Sequence, residues 1–202
     1  MSAAPFWDER YAQAGFLFGE APNAFLKSRL RLLEPGKSVL CVADGEGRNG
    51  VWLAEQGLRV HAVDASPVAL AKSRQLAARR GVGLWWEEAD LQTWAWPHEA
   101  YDIVVAIFTQ FVGPEGRAQQ FAGMRQALKP GGLLILQGYT PRQLEYGTGG
   151  PPHAENMYTE EVLREAFGDW DILHLAEHDD VIEEGAGHSG VSALIDLVAR
   201  KV

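Results

Sequence analysis

Gly45, Gly47 and Gly50 stand in a G-x-G-x-x-G spacing, and the same turn carries Asp44, Glu46, Arg48 and Asn49. Glycines at this spacing, between an apolar run and a helix, let a ligand approach the main chain and meet the helix N-terminus. A pyrophosphate is the usual occupant of such a turn. Here its two negative charges would lie within several ångströms of Asp44 and Glu46, which is costly in a partly desolvated site. A ligand with a cationic centre and a single carboxylate suits the turn better, with the acids facing the cation and Arg48 balancing the carboxylate.

Further acids follow at the ends of the next two apolar runs. Asp64, with Ala65 after it, ends the run 58–66, nineteen residues beyond Gly45. A carboxylate there can accept both hydroxyls of a ribose, one on each oxygen. Asp90 and Leu91 follow the run 82–90; the carboxylate suits an exocyclic adenine amine and the leucine the face of the ring. After the run 101–109, Ile107 and Phe108 fall near the adenosine or the reacting group, and Thr109, Gln110 and Phe111 on the acceptor side. Three acids, an adenosine and no phosphate describe S-adenosylmethionine, whose sulfonium and amino group are both positive. Tyr139, at the end of the run 133–139, Arg142, Tyr146 and His153 lie in or beside a loop of Gly, Pro and polar residues, 138–158, read as a flexible lid. His188 lies in a second Gly-rich loop, "EEGAGHSG".

These loops need strands and helices to hold them. Short, continuous apolar runs at 38–43, 58–66, 82–90, 101–109 and 133–139 read as buried strands. Helical patterns at 49–57, 66–81, 116–132 and 159–168 alternate with them; the clearest has Ser66 as N-cap, Pro67 at its first position and Gly81 as its stop. The segments 170–180 and 191–201 alternate more strongly and suit antiparallel strands. The expected fold is α/β: a Rossmann-like, seven-stranded, mostly parallel sheet with helices on both faces and the last strand antiparallel. The 202 residues are read as a single domain, with 1–37 a helical lid and 38–202 the core.

The formal charge of −9 argues against a nucleic-acid partner, whose phosphates call for many Lys and Arg contacts. The basic stretch 71–81 reads as a solvated helix face. No apolar run has the length of a membrane span, no signal peptide is evident, and a lone Cys41 excludes a disulfide within the chain; a cytoplasmic setting is expected. Trp85, Trp86, Trp94 and Trp96 read as packing, and no metal site is expected at His174 and His178.

The motifs "VLCVADGEGRNGVWLAEQG", "VHAVDAS", "EEADL" and "ALKPGGLLILQG" resemble the class I S-adenosylmethionine-dependent methyltransferases, over about residues 36–200. "GEGRN", "PRQLEYGTGGP" and the N-terminal "FWDERYAQAGFLFGEAPNAFL" are similar to the tellurite-resistance branch of that family. The resemblance implies that Gly45 and Gly47 lie under the methionine part of the cofactor, that Asp64 grips the ribose, and that Asp90 and Leu91 frame the adenine. It implies too that Tyr11 and Phe18 cover the cofactor and that a histidine near the acceptor is His188; Tyr139 and Gln110, read from their places at strand ends, join it as candidates on the acceptor side. Cys41 and Ala43 stand where the family usually has an acid and a glycine. The implied activity is methyl transfer to a small-molecule acceptor, a thiol or chalcogen species among them. A nicotinamide-dependent oxidoreductase and a non-catalytic adenosine-binding module are the alternative readings.

Overall fold

The computed structural model describes residues 4–202; residues 1–3 of the expected lid lie outside them. The chain forms two compact units, one of the residues up to Ala95 together with Glu184–Gly187, the other of Trp96–Glu183 with His188–Val202. Seven strands form one sheet in the order β3-β2-β1-β4-β5-β7-β6.

In the first unit, β1 (Ser38–Val42), β2 (Arg59–Asp64) and β3 (Trp85–Glu88) pair in parallel. The centres of β1 and β2 are covered on both faces: Val39, Leu40, Ala62 and Val63 are fully buried. Helix α3 (Arg48–Glu55) follows β1 and α4 (Pro67–Arg80) follows β2. α4 is bounded as its sequence dictates. The Ser66 hydroxyl accepts the Ala69 N–H, Pro67 opens the helix, and Gly81 closes it in the left-handed conformation. Ahead of β1 lie α1 (Ala4–Tyr11), a strap over residues 12–22, and α2 (Ala24–Ser28), capped by the side chain of Asn23.

In the second unit, β4 (Tyr101–Ile107) and β5 (Leu128–Tyr139) are parallel, and β7 (His188–Arg200) runs antiparallel to β5. Helix α5 (Pro114–Ala127) joins β4 to β5, and α7 (Glu160–Phe167) precedes β6 (Asp171–Glu184). Three sequence expectations change here. The helix expected over 116–132 starts earlier and stops at Ala127, since Pro130 can neither donate within a helix nor leave Lys129 in helical conformation. The Gly-rich loop expected between the last strands shrinks to three residues, 185–187. β6 and β7 run on to its edge, so His188 opens a strand instead of riding in a loop. The expected flexible lid over 138–158 contains α6 (Gln143–Tyr146) and is pinned: Gln143 Oε1 accepts the Ala193 N–H at 2.8 Å, and the Tyr146 hydroxyl donates to Asp179 Oδ2 at 2.9 Å.

Candidate functional site

The turn from β1 to α3 reverses sharply because Ala43, Gly45 and Gly47 all take positive φ (49°, 58° and 89°). At Gly47 a side chain is excluded twice over. An L-residue is strained at that φ, and a Cβ would lie 2.1 Å from the Ser73 hydroxyl oxygen. Asp44 is buried beneath the turn. Its Oδ1 accepts the Gly50 N–H at 3.0 Å, while its buried Oδ2 has no hydrogen-bond partner. Burial outweighs that one hydrogen bond and pushes the Asp44 carboxyl up to about 8.

Asp64, at the end of β2, braces the same turn. One oxygen accepts the Gly45 N–H and the other the Ser66 N–H, both at 2.8 Å. Burial raises its carboxyl to about 6 against the pull of these donors. Each oxygen retains a lone pair for a ligand hydroxyl. Ala65, half-buried, continues the turn into α4. Tyr11 stands over the glycines, since a Cβ on Gly45 would lie 2.8 Å from its hydroxyl oxygen. Burial, Asp64 and Glu46 push the Tyr11 phenol up, so it remains a neutral donor. The Phe18 ring meets Tyr11 edge-on at 6.2 Å. Asp90 is half-buried, accepting the Gln92 N–H at 3.1 Å, and Leu91 beside it is buried.

Three side chains of the turn have occupations that the sequence does not disclose. Glu46 faces the strap: Oε2 accepts the Leu17 N–H at 2.7 Å and Oε1 accepts Lys72 Nζ at 2.8 Å. Lys72 in turn donates to the carbonyls of Gln13 and Gly15, so Glu46 and Lys72 tie the strap to α4. Asn49 Oδ1 accepts the Asn23 N–H at 2.9 Å. Arg48 Nη2 is bonded to Glu184 Oε2 at 2.6 Å, while its buried Nη1 has no hydrogen-bond partner. Lys72 belongs to the stretch whose sequence reads as a solvated basic face; its partner lies 26 residues away and leaves no local signal.

In the second unit, Ile107 closes β4, and Phe108 after it has φ 56°, rare for a residue of its size. Its ring lies on Tyr139, stacked at 4.7 Å, and edge-on to His188 at 4.4 Å. His188 also meets the Tyr139 ring at 5.7 Å, edge to face. Met157, Ile182 and Leu194 pack with Tyr139 and Phe108. The structure thus brings two of the three residues expected near the acceptor, Tyr139 and His188, into one aromatic cluster. Gln110 is occupied otherwise. Its amide donates to the Tyr139 carbonyl at 2.8 Å and accepts the Tyr139 N–H at 2.6 Å, imitating a strand partner. His178, also outside the cluster, pairs with Asp196 at 2.9 Å.

The first unit fits an adenosyl amino acid by its own atoms. A buried acid oxygen and a buried guanidinium nitrogen, of opposite charge and without hydrogen-bond partners, flank a turn that leaves room for no side chain. Comparison with known proteins agrees. A methyltransferase domain family matches residues 39–132. A thiopurine S-methyltransferase of Pseudomonas fluorescens (strain SBW25) is 30% identical over 98% of this chain and 97% of its own length. The chain spans half the length of another curated relative that it matches. Two solved structures share the fold. One belongs to the conversion of a disulfide bond into a thioacetal group during echinomycin biosynthesis (TM-score 0.78, 20% identity, covering 98% of this chain and 91% of the other). The other is TehB from Haemophilus influenzae (TM-score 0.73, 18% identity, covering 98% and 67%). The chain belongs to the class I S-adenosylmethionine-dependent methyltransferases, and S-adenosylmethionine is its methyl donor.

Proposed function

We propose that the protein transfers a methyl group to a small-molecule thiol or chalcogen acceptor. The supporting observation is the cluster of Phe108, Tyr139 and His188 on a bed of Met157, Ile182 and Leu194. A soft, polarisable nucleophile is at home among aromatic and apolar groups and reacts as its anion, so it needs little base assistance. His188 brings the cluster its imidazole, whose ring nitrogens can donate or accept a hydrogen bond. Its part is to receive the acceptor's proton or hold its anion; Tyr139 shapes the cluster, and Gln110 fixes Tyr139 through its main chain. The thiopurine S-methyltransferase of Pseudomonas fluorescens and the disulfide-to-thioacetal chemistry of the echinomycin neighbour favour the same acceptor class. The charge of −9 favours a diffusing small molecule, in the cytoplasm, over a polyanion.

In this reading S-adenosylmethionine supplies an electrophilic methyl group, and the chain orients it and keeps water away. Gly45 and Gly47 lie beneath the methionine part, with Asp44, Arg48 and Asn49 at its end. Asp64 and Ala65 hold the ribose side, while Asp90 and Leu91 frame the adenine. Tyr11 and Phe18 cover the cofactor from the 1–37 lid, which Glu46 latches.

The test is transfer of labelled methyl from S-adenosylmethionine to a panel of aliphatic and aromatic thiols, selenite, tellurite, catechols and amines. Label on sulfur, selenium or tellurium is expected. Label confined to oxygen or nitrogen acceptors would overturn the proposal.

A further inference from the structure

The hairpin tip between β6 and β7 belongs with the first unit, though it is more than a hundred residues from the glycine turn along the chain. Its contribution is Glu184, and both carboxylate oxygens are engaged. Oε2 accepts Arg48 Nη2 at 2.6 Å. Oε1 accepts Asn23 Nδ2 at 3.0 Å and the Ala24 N–H at 3.3 Å. Asn23 caps α2 through Leu26 and donates its own N–H to Asn49 at 2.9 Å. The ion pair is nearly dry, with side-chain exposures of 8% for Arg48 and 10% for Glu184.

An arginine this buried adopts the direction its partner gives it, since no water competes. Glu184 takes one arm of the guanidinium and leaves the other, Nη1, buried with no hydrogen-bond partner. A stranded buried donor is costly, and a ligand acceptor would satisfy it. The complementary group on the methyl donor is the carboxylate of its amino-acid tail, since a guanidinium takes carboxylate through N–H donors fixed in one plane.

We propose that Glu184 is a positioning residue for the cofactor: it holds Arg48 so that Nη1 meets the carboxylate of the amino-acid tail, and it joins α2 to the first turn of α3. The proposal rests on the reading above that Arg48 stands at the methionine end. Recognition of the cofactor's tail is then set by a residue 136 positions away along the chain.

The measurement is equilibrium binding by calorimetry of two nucleosides. S-adenosylhomocysteine carries the amino-acid tail; 5′-methylthioadenosine has the same adenosine and sulfur but a methyl group in place of the tail. Glu184→Ala is expected to weaken S-adenosylhomocysteine about tenfold or more, equivalent to about 1.4 kcal/mol, and to change methylthioadenosine by less than about twofold. Glu184→Gln, which keeps an oxygen facing Arg48, is expected to restore most of the difference. Glu184→Asp, whose carboxylate is one methylene too short, is expected to restore little of it, and serves should the alanine variant fail to fold. Combined with Arg48→Ala, the Glu184 substitution is expected to add nothing to the loss of discrimination. An equal loss for both nucleosides would reduce Glu184 to a structural brace. Tighter S-adenosylhomocysteine binding would make it a competitor for Arg48. Either result overturns the proposal. If Arg48→Ala alone lowers the ratio and the Glu184 variants do not, only the positioning role fails. If Arg48→Ala leaves the ratio unchanged, the underlying placement of Arg48 fails with it.

Discussion

Replacing Gly47 with alanine is the sharpest perturbation of the turn. With φ at 89°, an L-residue is strained by roughly 1–2 kcal/mol. The new Cβ would also stand 2.1 Å from Ser73 Oγ, 2.7 Å from Ser73 Cβ and 3.0 Å from Ser73 Cα. The hydroxyl cannot swing away freely, because it accepts the Trp86 indole N–H at 2.8 Å. Relief requires α3 and α4 to separate, an overpacking penalty of about 1–3 kcal/mol. Together these give a loss of about 2–5 kcal/mol. At a urea m value of about 2–3 kcal/mol/M, the midpoint should fall by roughly 1–2 M with m unchanged. Gly81→Ala is the control. Gly81 is also left-handed, at φ 71°, but nothing lies within 4 Å of its prospective Cβ. It should therefore lose only the backbone part, roughly 1–2 kcal/mol. The difference between the two variants isolates the contact with Ser73. Equal midpoints would refute the claim that Gly47 is required for close helix packing as well as for its φ.

Further outcomes follow from the same geometry. Asp64→Asn should weaken S-adenosylhomocysteine about tenfold or more while binding of free homocysteine is unaffected, read by calorimetry; equal affinity would remove Asp64 from the ribose. Lys72→Met should loosen the strap at Gln13, Gly15 and Glu46, raising the S-adenosylhomocysteine off-rate several-fold in stopped flow with little change in melting temperature. Below about pH 8, seating a cation beside Asp44 should release a proton, tightening binding by up to about tenfold per pH unit between pH 6 and 8. Isotherms in buffers of different ionisation enthalpy would show or deny that proton. Stability of the free protein should run the other way. Asp44 and Asp64 bind protons more tightly folded than unfolded, so their contribution is full below about pH 4 and is lost as pH rises through about 6 and then about 8.

What the sequence makes legible and what it hides divide along physical lines. Features written in neighbouring residues are readable: the glycine turn, the Ser66–Pro67–Gly81 boundaries of α4 and the alternation of strands with helices. Their causes are local sterics and capping. The pairing of Glu184 with Arg48 is hidden because 136 residues separate the partners and neither lies in a pattern that announces the other. The Gln110 clamp on Tyr139 is hidden likewise, since a glutamine after a strand reads equally well as a catalytic amide or a main-chain bracket. The hairpin between β6 and β7 is shorter than its sequence suggests because glycines at 185 and 187 argue for a loop but do not fix its length.

The electrostatics of the turn explain how so many acids can gather in one glycine loop. Glu46 is answered by Lys72 and Arg48 by Glu184, so each of these charges is balanced by a side chain from another element. Asp44 and Asp64 differ. Among the described residues neither has an ion-pair partner, and burial holds both carboxyls above their ordinary range. A positive ligand centre about 6 Å from either carboxylate would gain roughly 3 kcal/mol at an effective dielectric near 20, and a negative one would lose as much. A pyrophosphate brings its charge with the wrong sign to both. A sulfonium or ammonium brings the right sign, and ionising Asp44 at pH 7 costs only about one pH unit's worth, about 1.4 kcal/mol. The turn is therefore tolerable when empty because Asp44 can be neutral, and it favours a cation because a positive centre draws the charge out of that carboxyl. That is the opposite of the anion-binding logic its glycine spacing would otherwise imply.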